Sequence, residues 1–195
     1  MILESLVTTV DGCGQVNLAP QGPHVDRELT KVQLQPFVGT RTCKNLRRTQ
    51  RAVIHVTDDV LLLARAATNT IPPDELTTMV RAIASQPGCY ALTDACRWYA
   101  VRVRSWQQHP QRPQVDCDIV EQSTQRDFFG WNRGQYAVLE TAIMATRLHL
   151  IAPEIVRSQL KQFESLVQRA GGEREQEAFS LLQAHIRKNH DASHE

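Results

Sequence analysis

The sequence has little net charge and lacks the cysteine patterns of metal-binding or disulfide-rich proteins. Its 22 basic and 21 acidic residues leave a formal net charge of +1 at pH 7, whereas disordered chains and polybasic nucleic-acid binders show a much stronger bias. The five cysteines are widely spaced, with no C-x-x-C pair and no nearby H-x-x-x-H. We therefore expect reduced thiols, no metal site and no nucleic-acid partner.

Long apolar runs are absent as well. No window reaches the roughly 18 to 20 apolar residues that a membrane-spanning helix needs. The first ten residues contain the acidic Glu4 and lack a basic start, which is not the pattern of a signal peptide. The chain is therefore expected to be cytoplasmic with no membrane partner, and its 195 residues are enough to bury a substantial core.

The first two thirds of the chain has the alternating pattern of β-strands. Apolar and polar residues alternate over residues 51–57 and 95–106, as in strands that bury one face. Residues 2–10 are rich in β-branched side chains and lead through the turn at residues 11–14 into a hairpin with residues 15–19. The prolines and glycine of residues 20–23 are expected to end that strand in an irregular loop. Two shorter strands are predicted at residues 31–35 and 115–120.

Helical patterns dominate the last third. Amphipathic or apolar helices are predicted at residues 136–151, 153–170 and 173–188, followed by an irregular tail at 189–195. An earlier helix is predicted at residues 71–86, and the apolar run within residues 58–67 fits either a strand or a buried helix. The sequence thus predicts an α+β fold, with a barrel-like β domain at residues 1–125 and a helical subdomain at residues 126–195.

The densest group of ligand-binding side chains lies at residues 40–45. This segment, Thr-Arg-Thr-Cys-Lys-Asn, offers two hydroxyls, two cations and an amide directly after Gly39, which lets the backbone approach a ligand closely. A phosphate monoester carries about two negative charges and three acceptor oxygens, so it suits this mixture. We predict a phosphate-binding loop here. The alternatives are a solvated basic turn, extended by Arg47, Arg48 and Arg51, or an RNA site, although no aromatic platform is interleaved.

A second loop is expected at residues 17–23. It contains small residues and prolines and leaves many backbone groups free, which suits a position along the edge of a flat polar ring. His24 follows this loop and is a candidate proton donor, while His55 is interpreted as a satisfied barrel residue.

Other chemically active residues have simple structural interpretations. Adjacent strand residues point to opposite faces, so Asp58 and Asp59 are expected to cap or turn the chain and not to bind metal. Cys43 is expected to be buried, although neighbouring cations would favour a redox-active thiolate. Trp98 and Tyr99 are expected to pack as core and interface aromatics, or one of them reaches a ligand bound to a neighbouring subunit. Arg133 either adds to an anion site at a helix N-terminus or pairs with Glu140.

Three ordered motifs carry a resemblance to a known family. The first is N-L-A-P at residues 17–20, followed by P-F-x-x-T-x-T-x-x-N-L at residues 36–46 and a strand that ends V-T-D-D. The second is LTDACRWYAVRV and the third is NRGQYAVLETAIMATRLHL. Together they resemble a branch of unknown function within the FMN-binding split-barrel superfamily, which includes flavin reductases and pyridoxine-phosphate oxidases.

The resemblance implies a split β-barrel of about six antiparallel strands with a C-terminal helical subdomain, and FMN bound non-covalently at a homodimer interface. By position, the phosphate would be held by Thr40, Arg41, Thr42 and Asn45, with Lys44 as an added cation. The isoalloxazine edge would be lined by Asn17, Ala19, Pro20, Gln21 and Gly22. Flavin reductases usually carry an aromatic residue and a serine where this chain has Gln21 and Gly22, so a reductase-like substrate pocket is not implied.

Two functions follow from the resemblance. The chain is expected to be an FMN-dependent oxidoreductase, in which the cofactor performs the hydride chemistry and the protein binds and orients it. The alternative is a flavin- or pteridine-binding protein without turnover, such as a carrier, sensor or assembly factor. No side chain in the sequence stands out as an acid, base or nucleophile.

Overall fold

A computed structural model describes residues 1–191 and divides into two compact units. The first joins Met1–Thr57 to Pro72–Phe128, and the second joins Asp58–Ile71 to the chain from Phe129 onward. The chain passes from the first unit to the second after Phe128, close to the boundary predicted after residue 125. The segment Asp58–Ile71 belongs to the helical unit, although the sequence places it in the β domain.

The structure confirms an α+β fold built on a curled antiparallel sheet, a half-barrel. The strands are β1 Ser5–Val10, β2 Val16–Gln21, β3 His24–Val25, β4 Val32–Leu34, β5 Arg51–Val56, β6 Val80–Ala82, β7 Tyr90–Leu92, β8 Arg97–Gln107 and β9 Gln114–Thr124. The helices are α1 Arg41–Thr49, α2 Val60–Ala67, α3 Pro73–Met79, α4 Arg133–Ala145, α5 Pro153–Ala170 and α6 Glu173–Asp191, with a 3-10 turn at Leu148–Leu150. Seven strands form the main sheet in the order β2-β1-β5-β8-β9-β4-β3, and β6 pairs with β7 in a separate sheet.

The alternating patterns of β5 and β8 place their apolar residues in the core of the first unit, as predicted. Ile54 of β5 and Val101 of β8 pack with Val7 of β1 on one face of the sheet, and Leu46 of α1 joins them. Each of these four side chains is almost completely buried. Helix α1 therefore packs against the sheet on the face to which Val7 of the first hairpin points.

That hairpin continues further than the sequence predicts, because β2 runs through Pro20 to Gln21. Asp11 N–H donates to Gln15 O at the turn, so the hydrogen-bonded pairs of the ladder fall on every second residue from there, including Ala19 with Val7. Pro20 lies between these pairs on the edge strand, where its missing N–H would point away from β1. The expected loop at residues 20–23 is therefore wrong for its first half.

The predicted helix at residues 71–86 is correct only for α3. At Val80 the chain becomes the strand β6 and pairs with Leu92 of β7. The reversal between the two strands contains Gly88 at φ +79, where a residue with a side chain would be strained. Ile83 continues the helical spacing of apolar residues along the sequence, but in the structure it follows β6. It packs there in a separate cluster with Cys89 and Trp98 and not on a helix face.

The second unit consists of helices. The apolar run at residues 58–67 forms helix α2, which packs against α4 and α6. Helix α4 begins at Arg133 and ends at Ala145, shorter than predicted, while α5 has the predicted bounds. Helix α6 extends to Asp191, so the predicted tail is wrong for residues 189–191, and residues 192–195 lie outside the described part of the chain.

Candidate functional site

The segment at residues 40–45 is the beginning of α1 and not the loop predicted from its composition. Thr40 is the N-cap residue with φ −68 and ψ 156, and its Oγ1 accepts a hydrogen bond from Cys43 N at 3.3 Å. The same hydroxyl donates to Phe37 O at 2.7 Å. Gly39, at φ +90, turns the chain into this cap. A threonine before a polar helical segment is a typical N-cap signal, and it was available in the sequence.

The two segments predicted to bind opposite ends of one ligand meet in the structure. Asn17 on β2 donates from Nδ2 to Thr42 Oγ1 on α1 at 3.2 Å. The two residues are 25 positions apart in the sequence, so the fold brings the start of α1 against the edge strand β2.

This contact belongs to a network of four side chains that we call the Thr9 network: Thr9, Asn17, Thr42 and Asn45. Thr9 Oγ1 accepts from Asn17 Nδ2 at 3.4 Å and from Asn45 Nδ2 at 3.1 Å. Thr9, Thr42 and Asn45 are 2%, 2% and 4% exposed. Sequence reasoning missed Thr9, because nothing in a β-branched strand marks which threonine accepts hydrogen bonds from a distant helix.

Arg48 ties the same helix to the first hairpin. Its Nη2 donates to Val10 O at 2.6 Å and lies 3.5 Å from Asn45 Oδ1. A Cβ atom on Gly12 would lie 2.9 Å from Arg48 Nη1, so the turn and the guanidinium are in close contact. Arg48 therefore holds the hairpin and is not simply part of a solvated basic face.

The groups left for a ligand are fewer than the six-residue pattern suggests. Arg41 and Lys44 have exposed side chains on the first turn of α1, and the first turn contains no acidic residue. The N–H group of Arg41 has no acceptor inside the helix, because first-turn amides lack partners one turn earlier. Two cations and a helix N-terminus thus supply positive potential at one place.

Asp11, in the hairpin turn, is a carboxylate close to Arg48 and Arg41. Backbone N–H groups of Gln15 and Cys13 hold the pKa of Asp11 below its usual value, and the charges of Arg48 and Arg41 lower it further. Asp11 Oδ1 accepts both backbone bonds, at 2.9 and 2.8 Å. The carboxylate is thus engaged by its own turn.

The residues predicted to line a flat ring lie along β2 and just beyond it. Asn17, Ala19 and Gln21 face the same side of the sheet as Val7 and α1, because side chains alternate along a strand. Leu18 and Pro20 alternate with these residues along the edge strand and direct their backbone groups away from β1. The edge therefore offers the carbonyl of Pro20 together with the N–H and carbonyl of Leu18.

His55 is a structural residue, as the sequence predicts. Its side chain is fully buried, with Nδ1 3.0 Å from Leu6 O and Nε2 accepting from Leu92 N at 3.0 Å. Burial lowers the pKa of His55 to about 4, and only the bond to Leu6 opposes this change. The neutral ring with a proton on Nδ1 satisfies both partners. His24 is exposed.

The cysteine and aromatic candidates are buried within the first unit. Cys43 is 5% exposed and burial raises its pKa above the usual value, in spite of the charge of Arg47. Cys43 is therefore a thiol and not an activated thiolate. Trp98 and Tyr99 are likewise buried, which supports the packing interpretation for both.

In the second unit, Asp59 has the capping role that the sequence predicts for the acidic pair, and Asp58 holds a distant backbone group. Asp59 Oδ1 accepts from Leu62 N at 2.9 Å as the N-cap of α2, and its Oδ2 pairs with Arg174 at 2.6 Å. Asp58 Oδ2 accepts from Phe129 N at 2.8 Å. Arg133 is exposed at the first turn of α4, and within residues 1–191 the structure contains no ion pair between it and Glu140.

The described chain was also searched for metal-binding groups and for membrane-spanning helices. Over residues 1–191 no group of three or more histidine, cysteine and acidic side chains could hold a metal ion. Among the helices of these residues, none combines the length and the apolar composition of a membrane-spanning segment.

Family models match most of the chain. The N-terminal domain model of a family of unknown function, DUF447, matches residues 3–126, and a second DUF447 model matches residues 132–184. The first match covers the first two sequence motifs, and the second match covers the third.

Solved structures give a consistent fold. An FMN-bound protein of the same family from Methanosarcina mazei superposes with a TM-score of 0.82 at 23% identity, over 94% of each chain. A flavin reductase domain protein from Arthrobacter sp. FB24 gives 0.55 at 14% identity, over 65% of this chain and 80% of that one. Flavoredoxin from Methanosarcina acetivorans gives 0.53 at 9% identity, over 63% and 68%. At these identities the likeness shows the fold, which is the split barrel that the resemblance implies.

Proposed function

The chain belongs to the DUF447 family, and on this premise we propose that it binds FMN non-covalently and uses it as an oxidoreductase. One observation carries the proposal: the hydrogen bond from Asn17 to Thr42 joins the segment expected to meet the flavin ring to the segment expected to hold its phosphate. A related protein of the family, from Methanosarcina mazei, was crystallised with FMN bound.

The phosphate end of the site fits the residues that are present. Arg41 and Lys44 are exposed cations on the first turn of α1, where the backbone amides and the helix dipole also favour an anion. The hydroxyl of Thr40 is already used by its cap. Thr42 is buried, and its hydroxyl keeps one proton to donate, since it accepts from Asn17.

The ring end of the site fits through acceptors and backbone groups. Both amide protons of Asn17 are directed to the hydroxyls of Thr9 and Thr42, so the side chain offers a ligand only its Oδ1. A flavin ring edge has one N–H donor among several acceptors, which suits Asn17 Oδ1 and the outward amide of Leu18. Bound FMN would supply the electron transfer, and the chain would orient the ring and shield it from water.

We place the flavin at the interface of a homodimer, as the resemblance implies. The outward backbone edge of β2 supports this arrangement, since an edge strand leaves hydrogen-bonding groups that a second copy or a ligand can use. Sedimentation of the purified protein would test the dimer separately from flavin binding. A monomer that retains FMN would overturn the interface placement and leave the cofactor assignment intact.

The absorbance spectrum of the purified protein tests cofactor binding. Wild-type protein is expected to be yellow or to take up FMN with micromolar or tighter affinity. Loss of one charge-assisted hydrogen bond costs about 1.5 to 3 kcal/mol, so Arg41→Gln and Lys44→Gln are each expected to weaken FMN binding about 10- to 100-fold.

Arg47→Gln is the matched control, because Arg47 is on the same helix but its guanidinium lies over the ring of Trp106 at 5.0 Å. It is expected to change FMN affinity less than threefold. Colourless protein that takes up no FMN would refute the function. Equal effects of all three variants would refute the phosphate assignment.

Reduction of the bound flavin separates an enzyme from a binding protein. Anaerobic NADH or NADPH is expected to bleach the flavin absorbance, and a suitable acceptor to restore it. Flavin that stays oxidised with each donor would identify the chain as a flavin-binding carrier or sensor instead.

A further inference from the structure

We propose that Thr9 is a positioning residue of the FMN site, which fixes the start of α1 against β2 so that one ligand can engage both. This inference rests on the proposed function. Thr9 is not among the residues assigned to contact FMN. Its hydroxyl joins the two ligand-binding segments at a second point, beside the bond between Asn17 and Thr42.

The geometry of the Thr9 network makes Thr9 its centre. Its Oγ1 accepts from Asn17 on β2 at 3.4 Å and from Asn45 on α1 at 3.1 Å. Asn17 donates in turn to Thr42 at 3.2 Å. Strands β1 and β2 and helix α1 thus share one set of hydrogen bonds. Within the described residues, Thr9 is the member of the network whose hydroxyl accepts from two side-chain amides, those of Asn17 and Asn45.

Burial makes this network rigid. Thr9 is 2% exposed, so water cannot replace its hydroxyl at low cost. An amide that loses its partner inside a protein must find another one or pay the full desolvation penalty. Without the Thr9 hydroxyl, the buried amide of Asn45 would have to rotate or move, and the half-buried amide of Asn17 would lose its bond to β1. Helix α1 would then no longer be held in one position relative to β2.

A ligand senses this displacement only if it spans both segments. FMN would contact α1 through its phosphate and β2 through its ring, whereas riboflavin has the same ring and no phosphate. A small shift in a doubly anchored ligand lowers affinity strongly, because both ends cannot be satisfied at once. The ratio of riboflavin to FMN dissociation constants therefore reports on positioning, independently of overall stability.

The test compares two buried threonines that are neighbours on β1. Thr9→Val keeps the shape of the side chain and removes the hydroxyl, and is expected to lower the riboflavin-to-FMN ratio about tenfold. Thr8→Val is the matched control: Thr8 is 1% exposed, faces the opposite side and donates to Tyr90 O at 2.6 Å. It is expected to lower the melting temperature similarly and to change the ratio less than twofold. Thr9→Ser keeps the hydroxyl and is expected to retain the ratio.

A measurement on wild-type protein covers the case in which Thr9→Val does not fold. The side-chain amide protons of Asn17 and Asn45 are expected to exchange with solvent at least fivefold more slowly with FMN than with riboflavin, because the phosphate would hold α1 in place. Equal exchange with the two flavins would overturn the positioning role.

The outcomes separate this inference from the proposed function. Wild-type protein that binds FMN no better than riboflavin would overturn the phosphate site itself. Wild-type protein that prefers FMN, with the preference intact in Thr9→Val or equally reduced in Thr8→Val, would overturn only the role of Thr9.

Discussion

The buried imidazole of His55 makes folding stability depend on pH in a way that can be calculated. Both ring nitrogens are occupied by backbone groups, because Nδ1 faces Leu6 O and Nε2 accepts from Leu92 N. Protonation of Nε2 would place a charge in a fully buried site and break the bond to Leu92. The pKa of His55 in the folded protein is therefore lowered from 6.5 to about 4.

The size of the effect follows from the two pKa values. The unfolded chain takes up the proton near pH 6.5 and the folded chain only near pH 4, so protons favour the unfolded state between these values. Stability from the neutral ring is complete above about pH 7 and is lost as the pH falls towards 4. A difference of about 2.5 units corresponds to about 3 kcal/mol.

Urea denaturation at several pH values measures this loss. The free energy of unfolding of flavin-free wild-type protein is compared with that of His55→Gln at pH 7.5, 6, 5 and 4. Carboxylates such as Asp11 titrate in both proteins and cancel in the difference. The stability advantage of wild type over His55→Gln is expected to shrink by about 3 kcal/mol between pH 7.5 and pH 4.

An advantage of wild type over His55→Gln that stays constant within about 1 kcal/mol across the pH range would refute the buried neutral ring.

Three further predictions test other parts of the fold. A Cβ atom on Gly134 would lie 2.7 Å from the backbone of Gly171, so Gly134→Ala is expected to lower the free energy of unfolding by about 1 to 3 kcal/mol; unchanged stability in urea would contradict this close approach. Cys13 is exposed and the other four cysteines are buried, so a thiol reagent should modify one cysteine rapidly in native protein and five after denaturation. Asp59→Ala removes the N-cap of α2 and its partner for Arg174 and should cost about 1 kcal/mol, whereas Asp59→Asn, which keeps the capping oxygen, should cost less by the same measurement.

The burial of Thr42 and Asn45 changes how the site should be probed by mutation. The sequence places both side chains in contact with a phosphate, and the structure places them in the Thr9 network with little exposed surface. Their replacement would alter packing and hydrogen bonding as well as ligand contacts. Arg41 and Lys44 are exposed and give cleaner tests of phosphate binding.

Local patterns in the sequence determined much of the fold. Alternation over residues 51–57 and 95–106 defined β5 and β8, and a proline at the start with two glycines at the end defined α5. These signals are reliable because each depends only on the neighbours of a residue along the chain: which face it shares and whether its backbone can continue. The chemical types needed for a phosphate site were also visible in residues 40–45.

Only the tertiary structure decided which of those groups can meet a ligand. Asn45 finds Thr9 36 positions away and Asn17 finds Thr42 25 positions away, and no local pattern specifies such partners. The same holds for β6, where pairing with β7 replaced the second half of a predicted helix. Buried polar groups take the partners that the fold brings to them, because leaving them unpaired is costly. The sequence thus supplied the side chains of the candidate site, and long-range packing decided which of them hold the fold and which remain exposed.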